Sequence, residues 1–292
     1  MADIATTKSN PATARRLGPA LVLGSAVLFS FSGVLTKAID AGSWAILTWR
    51  GLIGGVGIAV YVWWKNRDRP ARRVFRLGRH GWIIATVGAV GSVAFITSFK
   101  HTFVANVSVI YATIPFVAAL LERIILGERM NRLTLIAAAV SLVGVVIIVS
   151  GSLGSPNISG DVVAIAMVLL NALFMVLIRA FPNTDSVLSG AASGPMLFVA
   201  SWFFTDPLDV SARDAGLLVL FGLVFAAATV LWIEGTRLIP AAESGLLGSA
   251  ETPVAIALAW IILSEAPPIA SIIGATIVLA TIVTHTTRGH PQ

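Results

Sequence analysis

The sequence predicts an all-α integral membrane protein with ten transmembrane helices, arranged as two inverted five-helix repeats around a central cavity. Three observations predict it. Apolar runs long enough to cross a bilayer follow one another along the chain, Lys and Arg gather beside alternate runs, and a proline-bearing segment of the first half recurs in the second.

The runs come first. Leu133 to Gly160 contains no Lys, Arg, Asp or Glu. A helix of about 20 apolar residues spans a hydrocarbon core of about 30 Å. With no water to satisfy the backbone, a spanning segment is a helix or part of a closed barrel, and unbroken runs without period-2 alternation select the helix. The expected spans are 17–39, 42–64, 81–100, 103–126, 132–151, 161–181, 187–205, 215–238, 241–263 and 268–286. Most connections are short, which makes successive helices antiparallel neighbours. The two longer ones are Lys65–His80, with seven Lys and Arg, and Asp206–Asp214, with three Asp against one Arg.

Composition agrees. Of the 292 residues 57% are hydrophobic and 12% charged, where a soluble domain carries about 25% charged residues. Mean hydropathy is +0.90. The net charge of +6 sits in loops beside apolar runs, so it reads as topology, not as a nucleic-acid surface. Lys8, Arg15, Arg16, the basic loop, Arg129, Arg132, Arg237, Arg288 and Arg179 fall on one side, against Lys37, Lys100 and Arg213 on the other. Positive charge stays inside, which puts both termini in the cytoplasm of a multi-pass protein. Residues 1–16 are expected to be a disordered tail. The run after them is too long for a signal-peptide core, so no processing is expected. The compact loops and the absence of targeting signals suggest a bacterial inner membrane. Without cysteine there is no disulfide, no thiolate catalysis and no Cys-based metal site.

The repeat rests on two segments. Val104 to Pro115 runs on to Leu126-Gly127-Glu128, and Ala242 to Pro253 runs on to Leu263-Ser264-Glu265. Each is a small-residue entry, an apolar helix with a proline near its centre, and a Glu just past its end. Val34-Leu35-Thr36-Lys37 also matches Val176-Leu177-Ile178-Arg179 loosely. Halves of five spans have odd parity, so the second must lie upside down. Such inverted pairs characterise many secondary transporters, whose substrate site lies near the midplane between the repeats. The halves expected are 17–151 and 161–286.

These residues also carry a family resemblance. Lys100-His101-Thr102-Phe103-Val104-Ala105-Asn106, Pro115 to Leu120 and Leu126-Gly127-Glu128-Arg129 resemble the first EamA-type domain of the drug/metabolite transporter superfamily. Glu251-Thr252-Pro253 and Ser264-Glu265-Ala266-Pro267 are similar to the matching part of the second, with Ser264 where a Gly is common. Arg50 fits that family's Arg in the second helix. The resemblance covers about residues 17–286 and implies ten helices, inverted repeats, a central cavity, and export of amino acids, other small metabolites or drugs.

Ionisable residues inside a span are costly and face a cavity or a partner. Glu251 is one candidate, either binding a substrate ammonium or carrying a proton, or buried in an ion pair with Arg50. Tyr111, Thr113, Asn171, Met175, Trp232, Ser249, Phe95 and Phe99 offer a neutral, partly aromatic substrate lining. Pro115 and Pro253 are the candidate gating kinks, since a mid-helix proline removes a hydrogen bond and bends the helix. Glu122, Glu234 and Glu243 lie toward cytoplasmic helix ends and read as snorkelling or loop-capping groups; Glu128 and Glu265 read as helix-end caps. Trp63, Trp64 and Trp82 flank the basic loop as an interfacial belt, and Gly51, Gly54, Gly55, Gly57, Gly88 and Gly91 permit close helix approach.

No phosphate loop or metal-ligand cluster occurs, so neither an ATP-driven pump nor a cofactor is expected, and a membrane-embedded enzyme lacks its mid-membrane cluster of His, Asp or Ser. The partners expected are a small-molecule substrate and membrane lipid, with no nucleic acid and with oligomeric state open. The expected function is export of small metabolites by alternating access. Amino acids are the first substrate class, with broad tolerance including aromatic ones. A proton-coupled multidrug or quaternary-cation exporter is the alternative.

Overall fold

Apolar sequence in lipid must satisfy its own backbone hydrogen bonds, and among the described residues every regular element is an α-helix. The structure is a computed structural model. It describes residues 11–65, 67, 77–127, 132–181, 184, 186–236, 238 and 247–288, without the side chains of 11–16, 186–187 and 286–288. In chain order the helices are α1 Pro11–Ala38, α2 Ser43–Lys65, α3 Arg79–His101, α4 Val104–Tyr111, α5 Ile114–Ile125 and α6 Arg132–Gly151. They continue as α7 Ile158–Ala180, α8 Ser186–Ser201, α9 Ala212–Thr236, α10 Glu251–Leu263 and α11 Ile269–Arg288.

Each of the ten expected spans carries helix at its expected place. Seven spans are long and apolar enough to cross a bilayer, with α4 and α5 together making one of them. The apolar stretches of α8, α10 and α11 are shorter. Helix α1 begins at Pro11, inside the segment expected to be a polar tail, while residues 1–10 lie outside the described residues. Glu128, Arg129, Glu243 and most of the basic loop also lie outside them.

The fourth span is broken. The last turn of α4 ends at Tyr111, Ala112 and Thr113 form a turn, and α5 restarts at Ile114. The ninth shows the same device, with the turn at Ser249–Ala250 before α10. Both prolines sit just after the break, in the first turn of the second segment. A first-turn residue has no intrahelical acceptor for its N–H, so proline loses nothing there. The expectation of prolines bending continuous helices is therefore replaced by one of interrupted helices whose second segments begin at proline-containing turns.

Packing interleaves the two halves of the chain. Helix α2 packs on α8, α3 on α7, α1 on α9, and α6 on α11; α9 also packs on α2, α8 on α3, α10 on α1 and α4, and α4 and α5 on α7. One core gathers Val104, Val107, Ile110, Met167, Val168, Val176 and Val278. Another gathers Leu35, Ile39, Ile46, Leu47, Ile96, Leu218 and Phe221.

Two helix crossings bring backbone onto backbone. A Cβ at Gly194 of α8 would stand 2.1 Å from the Gly51 carbonyl oxygen of α2. A Cβ at Gly274 of α11 would stand 2.8 Å from the Gly144 carbonyl oxygen of α6 and 2.5 Å from Ile148. Only glycine fits at these contacts, because no side chain can be accommodated without moving a helix axis. Small residues let helices approach closely where lipid supplies no hydrophobic drive between them. Gly54 serves a further contact of α2, against Phe225 and Gly222 of α9. The outer surface is apolar: Leu142, Val146, Leu223, Ile261 and Ile272 are more than half exposed, as are Trp63 and Trp64 at the end of α2.

Candidate functional site

The interrupted spans bring unusual chemistry together inside the bundle. Tyr111 closes α4 and Glu251 opens α10, and the two segments are tied where the Thr252 hydroxyl donates to the Ser108 carbonyl at 3.4 Å. Ser30 of α1 donates to the Glu251 carbonyl at 3.0 Å, which fixes the start of α10 against the first helix. Glu251 is half-buried and Thr252 buried. Tyr111 lies in electrostatic range of both Glu251 and Arg50.

Arg50 is 5% exposed, although it carries a charge two turns inside α2. Three aromatic rings surround its guanidinium: Phe225 with the centroid 4.5 Å away, Phe221 at 5.4 Å and Phe95 at 5.8 Å. A guanidinium within about 6 Å of a ring face is attracted by the ring quadrupole. Phe95 continues the aromatic wall to Phe99 at 4.9 Å and to Tyr111 at 5.9 Å, and Phe225 continues it to Phe29 at 6.2 Å. The expected ion pair of Arg50 with Glu251 is not formed. No carboxylate among the described residues pairs with Arg50, and its buried Nε has no hydrogen-bond partner. The reason is geometric: α2 presents Arg50 to the α3 and α9 rings, while α10 packs against α1 and α4.

The structure distributes the other expected site residues unevenly. Phe95, Tyr111, Arg50 and Glu251 share one neighbourhood. Phe99 is buried in the core, against Val34 and the Gly33 position. Thr113 is buried, and its hydroxyl donates to the Ile110 carbonyl at 2.6 Å, so it closes the break in the fourth span. Trp232 of α9 is half-buried with its ring against Gly248, beside Ser249 in the turn before α10. The Asn171 amide donates to the Met167 carbonyl of its own helix at 2.9 Å and lies beside Gly91. Met175 is exposed, at 46%, and is not brought into the aromatic group. Pro115 and Pro253 are both exposed.

Sequence reasoning missed the polar ties at one end of the bundle. The carboxylate of Glu265 takes the Lys37 ammonium and also the backbone N–H of Val104, joining α1, the start of α4 and the residues after α10. The expected capping role of Glu265 is thus seen, with an ion pair added. Buried Asp161 accepts from the Thr102 hydroxyl at 2.7 Å and from the Asn106 amide at 3.0 Å, and the Ser271 hydroxyl donates to Asn106. Asp214 accepts the backbone N–H groups of Asp40 at 3.2 Å and Ala41 at 3.1 Å, and the Lys100 ammonium donates to the Ile39 carbonyl. Their signal was present: Asp161 and Asp214 stand in the first turns of α7 and α9. At the opposite end Glu122 pairs with Arg179 at 2.5 Å and Glu234 with Lys65 at 2.6 Å. Both acids had been expected to lie toward helix ends there.

This arrangement defines a class, a multi-pass helical membrane bundle with polar and charged groups gathered at broken helices. Residues 16–150 match the family model of the EamA-like transporter family. A solved crystal structure of another protein resembles it with a TM-score of 0.65 and 16% identity, covering 93% of this chain and 96% of that one. At that identity the likeness shows the fold alone, and it extends beyond residue 150 to nearly the whole chain. No curated protein sequence matches the chain significantly.

Proposed function

We propose that the chain is a secondary transporter exporting small metabolites, foremost amino acids with broad specificity including aromatic ones, by alternating access. The observation that carries this reading is the aromatic and charged group formed by Arg50, Phe95, Tyr111, Phe225 and Glu251 at the breaks of two half-helices, inside a fold of the EamA-like kind. Interrupted membrane helices place unsatisfied backbone groups where a substrate can use them. The rings offer apolar contact without selecting one side chain.

The inverted repeat, with halves 17–151 and 161–286, is part of the proposal. It is supported by the packing. Exchange α1 with α7, α2 with α8, α3 with α9, the α4–α5 span with α10, and α6 with α11. The pairs α2·α8, α6·α11 and α4·α10 map onto themselves, while α1·α9 becomes α7·α3 and α2·α9 becomes α8·α3. The two glycine crossings, Gly51 with Gly194 and Gly144 with Gly274, both lie on pairs that map onto themselves. A cytoplasmic location of both termini, supported by the Lys and Arg distribution, and a bacterial inner membrane belong to the same reading.

The test is flux in liposomes of purified protein, using radiolabelled phenylalanine and leucine beside a fluorescent quaternary cation, each with and without a pH gradient. Amino-acid flux indifferent to the gradient is the expected result. Cation flux that requires the gradient, and loses it in Glu251→Gln, would instead establish the proton-coupled multidrug alternative. Tags at the two chain ends reporting from opposite faces of the membrane would break the inverted-repeat parity.

A further inference from the structure

We propose that Arg50 is the anion-receiving group of the transport site and takes the carboxylate of the substrate. This deepens the export reading and rests on it for the identity of the substrate. A charged side chain at mid-membrane depth is retained when it pairs with another charge, bonds to backbone carbonyls or faces a polar pathway. Arg50 does neither of the first two: no ion pair reaches it among the described residues, and its buried Nε lacks an acceptor. The rings of Phe225, Phe221 and Phe95 hold the guanidinium in place but leave its buried Nε–H, which lies in the guanidinium plane, unserved. A rigid fork of donors, open at Nε, matches a carboxylate, which takes guanidinium bidentately.

The surroundings say which carboxylates suit. Tyr111 packs edge-on against Phe95, the ring that faces Arg50, and α10 is tied to the same helix by Thr252 and Ser108, while Arg50 and Glu251 do not pair. A zwitterion placed with its carboxylate at Arg50 and its ammonium toward Glu251 brings a counter-charge to the guanidinium and a donor to the carboxyl group. The wall of Phe95, Phe225 and Phe29 takes the side chain. The class is thus α-amino acids with apolar or aromatic side chains. Organic-acid anions of the same shape satisfy Arg50 alone.

The experiment measures ligand-induced thermal stabilisation of the full-length protein in detergent micelles, with four probes sharing one side chain. These are phenylalanine, 3-phenylpropionate, phenylalaninamide and 2-phenylethylamine. Phenylalanine and 3-phenylpropionate should stabilise the wild type at concentrations at least tenfold lower than the two probes without a carboxylate. Arg50→Met should abolish that preference. Arg50→Lys, which keeps the charge and loses the fork, should weaken it severalfold, and it carries the comparison where Arg50→Met yields no monodisperse protein. Equal or better binding of phenylalaninamide, unchanged carboxylate preference in the variants, or no binding of any probe would overturn the proposal. The two readings separate cleanly. Carboxylate-selective, Arg50-dependent stabilisation without phenylalanine flux leaves the anion site standing and ends the amino-acid export reading. Phenylalanine flux untouched by Arg50→Lys and Arg50→Met does the reverse.

Discussion

At the scale of single residues, the charges inside this protein divide into those already served and those left open. Glu265 is fully served, by Lys37 and by the Val104 N–H, with the two side chains only 23% and 13% exposed. Hydrogen bonds to charged groups of this kind contribute about 1.5–3 kcal/mol each. Glu265→Gln keeps an acceptor for Val104 and loses the ion pair, so its thermal midpoint in detergent should fall by several degrees. Lys37→Met should fall comparably. The double variant should lose less than the sum, because both changes act on one interaction; strict additivity would mean that the pair is not coupled. Little of this was legible beforehand. That Glu265 caps a helix end could be read from its place after an apolar run. That it caps α4, 161 residues away in sequence, could not, because hydropathy says which residues are buried in the bundle and not which faces meet. The same limit explains Arg50 and Glu251: two buried opposite charges suggest a pair, and only the packing of α2 against α8 and α9, with α10 elsewhere, shows that they are separate.

At the scale of elements, the spans were legible because crossing a bilayer leaves a signal about 20 residues long, and the helices fall where the apolar runs do. The break inside the fourth span was not. Ala112 and Thr113 fit a continuous helix as readily as a turn, and Pro115 marked the neighbourhood but suggested a bend. The two geometries differ in energy. Proline within a helix costs about 3 kcal/mol or more, so replacing it with alanine there would stabilise strongly. In a first turn the replacement should change little, and Pro115→Ala should shift the unfolding midpoint by no more than about 1 kcal/mol in equivalent stability. A large stabilisation would restore the continuous, bent helix. The hydroxyl of Thr113 bonds the Ile110 carbonyl at the break, as Ser98 bonds Phe95 inside the unbroken α3, so no local side-chain pattern announced the turn.

At the scale of the whole molecule, neither half buries its own faces. Helices α1, α2 and α3 find their main partners in α9, α8 and α7, and α6 finds α11. Halves so interleaved cannot complete a core alone. Residues 1–154 and 155–292, split within the turn at Gly154, should each fail to give monodisperse protein when expressed separately. Co-expressed, they should co-purify and recover the wild-type elution profile; a stable isolated half would contradict the interleaving. The count and order of the helices could be read from the sequence, and so could the recurrence of a motif. The cross-half pairing could not, since no local pattern encodes which distant helix a glycine will touch.

Bare main chain meets bare main chain where α2 crosses α8 and where α6 crosses α11. The first junction has no teeth at Gly51 and Gly194, whereas Ile148 and Val278 press their side chains onto the glycines of the second. Like shafts running in one bushing, α2 and α8 are held in touch there, and a single added methyl at Gly194 would prise them apart.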